Sequence, residues 1–252
     1  MTSVVGGRRE SLAASPIAVQ EFLADSVAGL RARRPLGAGR NVPLPRTRPV
    51  GGVPKRCMDI VVSLVMLVTL APIMLVVAAI IRLTLGGPVI FAQPRIGYGG
   101  RGFTCYKFRS MATNADEVLR QHLASNPAAA KEWNETRKLL DDPRVGCLGN
   151  VLRKSSIDEL PQLFNVLLGD MSLVGPRPVV PDELAKYGRY ATTYCEVRPG
   201  ITGLWQTSGR NRLSYRARIA RDSYYARHWS LWLDVVLLLK TIPALVNFDQ
   251  TA

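Results

Sequence analysis

The sequence predicts a mixed α/β domain, rich in helix, carried on a membrane-embedded helix. Three observations lead there. A 22-residue run without a charge, Ile60 to Ile81, precedes the rest of the folded pattern. Two short β-type segments around a glycine turn follow it, and then a series of short helical patterns. Among those helices lies a dense polar cassette, LRKSSIDELPQLFNVLLGDMSLVGPRP, from Leu152 to Pro178.

The 252 residues suffice for one moderate domain with appendages. Lys and Arg number 33 against 19 Asp and Glu, a net charge of +14. That excess points to polyanions: nucleic acid, anionic lipid or phosphorylated small molecules. Cys57, Cys105, Cys147 and Cys195 form no CxxC pair, and His122 and His228 are isolated. This spacing argues against a Cys/His zinc site and demands no disulfide, so a reducing compartment is the default. With two histidines in the chain, acid–base work falls to carboxylates.

Residues 1–54, rich in Arg, Pro, Gly and Ala, cannot bury enough apolar surface to fold alone and read as a disordered basic tail. No apolar core follows the start, so a signal peptide is not expected. Ile17 to Leu30 has the makings of one short helix.

The run IVVSLVMLVTLAPIMLVVAAII would reach about 33 Å as a straight helix, enough for a ~30 Å hydrocarbon core. Pro72 lies at its middle and removes a backbone donor there. Lys55 and Arg56 precede the run and Arg82 follows it, so both flanks favour the cytoplasmic side. A straight span satisfies the length alone. A helix–break–helix that leaves by the leaflet it entered satisfies length, proline and flanks. The residues leave both open.

Val89 to Ala92 and Phe103 to Phe108 read as strands. Gly97, Gly99 and Gly102 between them spell GxGxxG, but a dinucleotide site needs a helix after the glycines, and here a strand follows. The glycines therefore read as a hairpin turn. Residues 114–141 look helical and charged on one face, 148–168 like two short helices, and Tyr215 to Tyr225 like a further charged helix. Ser230 to Val246 is apolar but for Asp234 and Lys240, and Pro243 interrupts it. Flanked by Trp229 and Trp232, it suits a helix lying in the membrane interface or an ordinary core helix.

Asp158-Glu159 is the chemical centre of the cassette. Ser156 to Glu159 also fits a capping box, and acidic residues suit a first helical turn. Arg153, Lys154, Arg177 and Arg210 surround the pair in sequence. Carboxylates ringed by cations can hold a divalent metal and a diphosphate together, and magnesium favours one or two carboxylates plus phosphate oxygens. Pro176 and Pro178 fix the backbone on both sides of Arg177, and a prefixed guanidinium fork suits phosphate or a nucleobase edge.

YKFRSM, the long cassette, VRPGITGLWQTSGRN and the upstream apolar run together resemble the bacterial sugar transferase family, over about Lys55 to Val246. These are monotopic polyprenyl-phosphate phosphoglycosyl transferases. The resemblance implies a small α-rich α/β catalytic domain on an N-terminal re-entrant membrane helix hairpin, with interfacial amphipathic helices. The segments become a tail (1–54), a re-entrant helix (55–85), a catalytic domain (86–229) and an interfacial C-terminal helix with its tail (230–252). The implied reaction moves a sugar-1-phosphate from a UDP-sugar to undecaprenyl phosphate and releases UMP, starting a capsule or exopolysaccharide. Asp158 becomes the expected nucleophile of a covalent phosphosugar intermediate. Glu159 becomes its companion, and Mg2+ is expected on the pair. Lys107, Arg153 and Arg210 fall on phosphate partners, and Pro176, Arg177 and Pro178 fall near the nucleotide. NRLSYRARIARDSYYARHWSLWLD resembles the exopolysaccharide-initiating, hexose-transferring members, so UDP-glucose or UDP-galactose is the expected donor.

The expected place is the cytoplasmic face of a bacterial inner membrane, against membrane lipid, with no nucleic-acid partner; a homo-oligomer is compatible with it. Two departures stand out: Ala71-Pro72 where Ser-Pro is common, and Ile157 where leucine is common. The large multi-helix N-terminal region of some relatives is not expected. The alternatives are a membrane-tethered nucleic-acid binder and a non-catalytic transferase relic; the intact Asp158-Glu159 pair argues against the relic.

Overall fold

The uncharged run folds as α1 (Gly52–Thr84), 33 residues long, or about 50 Å at 1.5 Å per residue. The structure, a computed structural model, describes residues 48–136, 139, 141–208 and 213–246. The tail up to residue 47, with the helix expected at Ile17 to Leu30, lies outside the described residues, as does Arg210. One helical element carries through Pro72. Three residues before the proline, the Thr69 hydroxyl donates back to the Val65 carbonyl at 2.9 Å.

One stripe of α1 faces the domain. Lys55, Asp59, Ser63, Val77 and Ile81 are buried on it. Leu64, Val68, Leu75 and Leu83 are exposed elsewhere around the helix. The N-terminal half packs Val62, Met66 and Leu67 against the main core of Leu163, Val166, Met171 and Leu173. The C-terminal half joins Val77 and Ile81 to Phe108 and Leu152 in a second cluster. Residues from both halves of α1 thus contribute to the domain's core clusters.

β1 (Ile90–Ile96) and β2 (Gly102–Phe108) form the expected antiparallel hairpin. The glycines are its turn: Gly99 and Gly100 take φ 69° and 71°, open to glycine at little cost. The helical pattern over 114–141 divides into α2 (Ala115–Ser125) and α3 (Pro127–Thr136). Asn126, held extended before a proline, makes the break. α4 (Cys147–Lys154) and α5 (Gln162–Leu168) match the two short helices expected there. Arg56 of α1 caps α5, donating to the Val166 and Leu167 carbonyls at 2.5 and 2.7 Å.

The second sheet is absent from the sequence reading. β3 (Ser172–Val174) and β4 (Gly200–Thr202) pair in parallel, three residues each. Between them lie α6 (Pro181–Ala185) and α7 (Ala191–Cys195), packed around the buried Tyr187 and Tyr194. α8 (Tyr215–Arg227) and α9 (Leu231–Val246) close the chain. α9 buries Asp234 and Leu237 and exposes Leu231, Leu239, Ile242 and the indole of Trp232, 73% accessible.

Candidate active site

β2 brings the first residue. Its alternation puts Phe103, Cys105 and Lys107 on one face; the first two are buried, and Lys107 reaches Glu159 at 2.6 Å. Asn165 of α5 holds the strand in place. Its buried amide accepts the Tyr106 N–H at 3.0 Å and donates to the Thr104 carbonyl at 2.7 Å.

Asp158 and Glu159 lie in a single 3-10 turn, Ile157–Glu159, packed between α4 and β2. The chain enters this turn through Ser156 at φ 56°, the one non-glycine residue with positive φ among the described residues. Such strain costs on the order of 1–3 kcal/mol and persists where the surroundings enforce it. It also prevents the expected capping box. A cap needs extended backbone at the serine; Ser156 is left-handed and makes no side-chain capping bond. Glu159 pairs with Lys107 instead.

Asp158 is only 7% accessible. Burial, the largest influence, pushes its carboxyl up to about 6; Lys107 opposes the rise, Glu159 adds to it, and Arg153 and Arg177 also oppose it. Arg153, from the last turn of α4, is fixed by an Nε bond to the Ser110 hydroxyl at 3.1 Å.

Pro176, Arg177 and Pro178 leave the end of β3 and are pinned from every side. Gly175 donates to the Thr202 carbonyl at 2.8 Å, and Gly200 donates to the Pro176 carbonyl at 2.7 Å. A Cβ on Gly200 would stand 2.1 Å from the Gly175 nitrogen, so this approach requires glycine. Arg95 of β1 donates to the Pro178 carbonyl at 3.3 Å. The buried Tyr194 hydroxyl donates between the carbonyls of Ile96 (2.8 Å) and Arg177 (3.2 Å) and accepts the Val179 N–H. The Arg177 guanidinium lies 5.9 Å from the ring centre of Trp205, and Arg218 lies 4.7 Å from the same ring.

These groups open onto a small cleft whose lining includes Arg95, Lys107, Glu159, Gln162, Arg177 and Gln206. Lys107, Glu159, Arg177 and Pro178 therefore meet as their sequence positions suggested. Asp158 and Arg153 stand beside the lining rather than in it, and Pro176 contributes its carbonyl to β4.

Arg95, Gln162 and Gln206 were not singled out by the sequence. The hairpin register could have found Arg95. It pairs with Phe103, two residues along the face that carries Cys105 and Lys107, but the strand was expected to end at Ala92.

Among the described residues no group of three or more potential metal ligands exists. Asp158 and Glu159 supply two carboxylates from one turn, the number magnesium commonly takes from a protein before phosphate oxygens and water complete its shell.

The bacterial sugar transferase family model matches residues 50–248. The exopolysaccharide production protein ExoY of Sinorhizobium fredii is 51% identical over 197 residues, 78% of this chain and 87% of that protein. An undecaprenyl-phosphate galactose phosphotransferase of Salmonella typhimurium is 48% identical over 195 residues, 77% of this chain and 41% of its own. An undecaprenyl-phosphate glucose phosphotransferase of Komagataeibacter xylinus is 42% identical over 200 residues, 75% of this chain and 35% of its own.

Proposed function

The chain belongs to the bacterial sugar transferase family, and from that premise we propose that it moves hexose-1-phosphate from UDP-glucose or UDP-galactose to undecaprenyl phosphate, releasing UMP. The product would start an exopolysaccharide or capsule. The observation that carries the reading is the meeting of Lys107, Glu159, Arg177 and Arg95 around one cleft, with buried Asp158 beside it. A diphosphate is held best by cations already in place, and the braced Pro176-Arg177-Pro178 turn fixes the backbone from which Arg177 reaches the cleft.

The mechanism follows from those positions. Arg177 and Arg95 take the donor's diphosphate, and Arg153 and Lys107 keep Asp158 inside a positive field; Arg210, outside the described residues, is assigned to the phosphates from the family resemblance alone. An Asp158 carboxylate oxygen attacks the phosphorus bearing the hexose. The bond from that phosphorus to the bridging oxygen breaks, and UMP leaves with the electron pair. An oxygen of undecaprenyl phosphate then attacks the same phosphorus and restores the carboxylate. Asp158 and Glu159 would hold Mg2+, which supplies charge neutralisation at the phosphoryl oxygens. Lys107 fixes Glu159 in position for this.

Release of UMP from UDP-hexose in the presence of undecaprenyl phosphate and magnesium tests the whole reading. Salt-sensitive DNA binding without UMP release would favour the nucleic-acid alternative instead. The first step also requires an ionised Asp158. Its carboxyl lies near 6, so the fraction ionised, and with it the UMP burst, rises from pH 5 to 7 and levels above. Below pH 6 the burst rate falls about tenfold per pH unit. Magnesium on the carboxylate would move this rise to lower pH, so a burst that falls as pH increases from 5 to 7 is the result that contradicts Asp158 as the attacking group.

The protein is proposed to sit on the cytoplasmic face of the inner membrane, with α1 entering and leaving the same leaflet. Support comes from Pro72, from cations at both ends, and from both halves of α1 packing in one domain. A straight crossing would draw that domain and its arginines into hydrocarbon. The exposed face of α9, with Trp232, suits the interface. Cys57 is exposed near one end of α1, and Arg82→Cys marks the other. With Cys147 replaced by Ser, an impermeant periplasmic thiol reagent on intact cells should label neither. Labelling of one end alone overturns re-entry.

A further inference from the structure

We propose that Gln206 is a donor-recognition residue, accepting a hydrogen bond from the uncharged part of the nucleotide sugar; this rests on the donor reading above. Gln206 lines the cleft together with Arg177, Lys107 and Glu159. Its side-chain oxygen Oε1 is buried and has no hydrogen-bond partner among the described residues. A buried polar atom left unpaired is costly, and native proteins keep few of them without a reason. Here the atom belongs to the wall of the very cleft that the charged groups share.

The backbone explains why it is there. β3 and β4 run in parallel, and both of their C-terminal ends deliver residues to the cleft: Arg177 after β3, Gln206 after β4. Ligands of parallel sheets gather beyond the C-terminal ends of the strands. Thr207 N–H bonds to the Gly203 carbonyl at 3.2 Å, which folds the segment after β4 into a turn and holds Gln206 near the cleft. A Cβ on Gly203 would stand 2.8 Å from Gln206 Oε1, so the glycine leaves that oxygen its room.

The chemistry narrows the ligand. Arg95, Lys107 and Arg177 supply cations for the phosphates. A neutral acceptor cannot assist them there, because phosphate offers it no hydrogen when ionised. It takes an N–H or an O–H, and a nucleotide sugar carries these as the imide N–H of the base and the hydroxyls of the hexose. A site built to pair such a group discriminates sharply against analogues that lack it.

The test uses Gln206→Leu in the full-length protein, with Gln206→Met as a second, less branched replacement. Three quantities are measured: the donor KM, the inhibition constant of UMP, and the melting temperature. The expected result is a donor KM raised roughly tenfold in both variants, with a melting temperature unchanged or higher, because an unpaired buried acceptor has gone. A parallel rise in the UMP constant assigns the bond to the nucleotide half. An unchanged UMP constant, with altered preference between UDP-glucose and UDP-galactose, assigns it to the hexose. Wild-type donor KM and UMP inhibition in both variants overturn the proposal. A lower melting temperature with unchanged KM also overturns it, since that marks a structural role. Failure of the wild-type protein to release UMP from any UDP-sugar is a separate outcome; it overturns the donor reading, and this assignment with it.

Discussion

Replacing Asp158 with Asn is expected to abolish transfer, by roughly 10⁴-fold or more, as removal of an attacking group does elsewhere. The fold should survive it. Burial already disfavours the charged carboxylate and lifts it to about 6, so the folded state prefers the neutral form. At pH 7 the ionised group therefore opposes folding, and a neutral amide of the same shape relieves that. The melting temperature at pH 7 should be unchanged or slightly raised. Incubated with radiolabelled UDP-hexose and no lipid acceptor, the wild-type protein should retain label and Asp158→Asn should not. Substantial turnover in the variant, or kinetics that require both substrates bound together, would falsify the covalent route.

The largest expected loss of stability lies where α1 meets α9. Lys55 at the start of α1 meets Asp234 of α9 at 2.6 Å, both fully buried. Tyr225 donates to the second oxygen of Asp234 at 2.6 Å, and the Trp229 indole donates to the first at 2.8 Å. Lys55 also lies 3.0 Å from the Tyr225 hydroxyl. Asp234→Leu takes from the buried Lys55 ammonium the carboxylate it contacts and leaves it only the more distant Asp59, which costs about 3–5 kcal/mol. In detergent the melting temperature should fall by roughly 10 °C. Combining it with Lys55→Met removes both charges and should recover much of the loss, since the pair together is worth far less than one partner alone. Additive losses in the double variant would show that the two residues act separately.

That pair also shows where the sequence stopped speaking. Asp234 reads locally as an interruption of an apolar helix; its partner is 179 positions away. The hairpin, α4, α5, α8 and the long apolar helix were legible because each announces itself locally, through alternation, charge or the length of an uncharged run. β3 and β4 were not, since three residues each are too few for an alternation to be read. The division at Asn126-Pro127 was written in the sequence and lost in a run of good helix formers. For the site, the charged residues declared themselves by type and crowding. Gln206 and Arg95 matter only through pairing between strands, which composition does not carry. The left-handed Ser156 gave no sign, because serine seldom adopts that conformation and nothing nearby demands glycine.

The stripe along α1 makes anchor and enzyme inseparable. Cutting the chain after Thr84 would strip cover from Phe108, Leu152, Leu163 and Leu173 at once. It would also leave Asp234 and the Ser172 hydroxyl without Lys55 and Asp59. No freely diffusing version can be excised from this sequence by trimming its greasy segment. A water-soluble derivative would have to keep α1 and repaint only its outward side, at positions such as Leu64, Val68, Leu75 and Leu83.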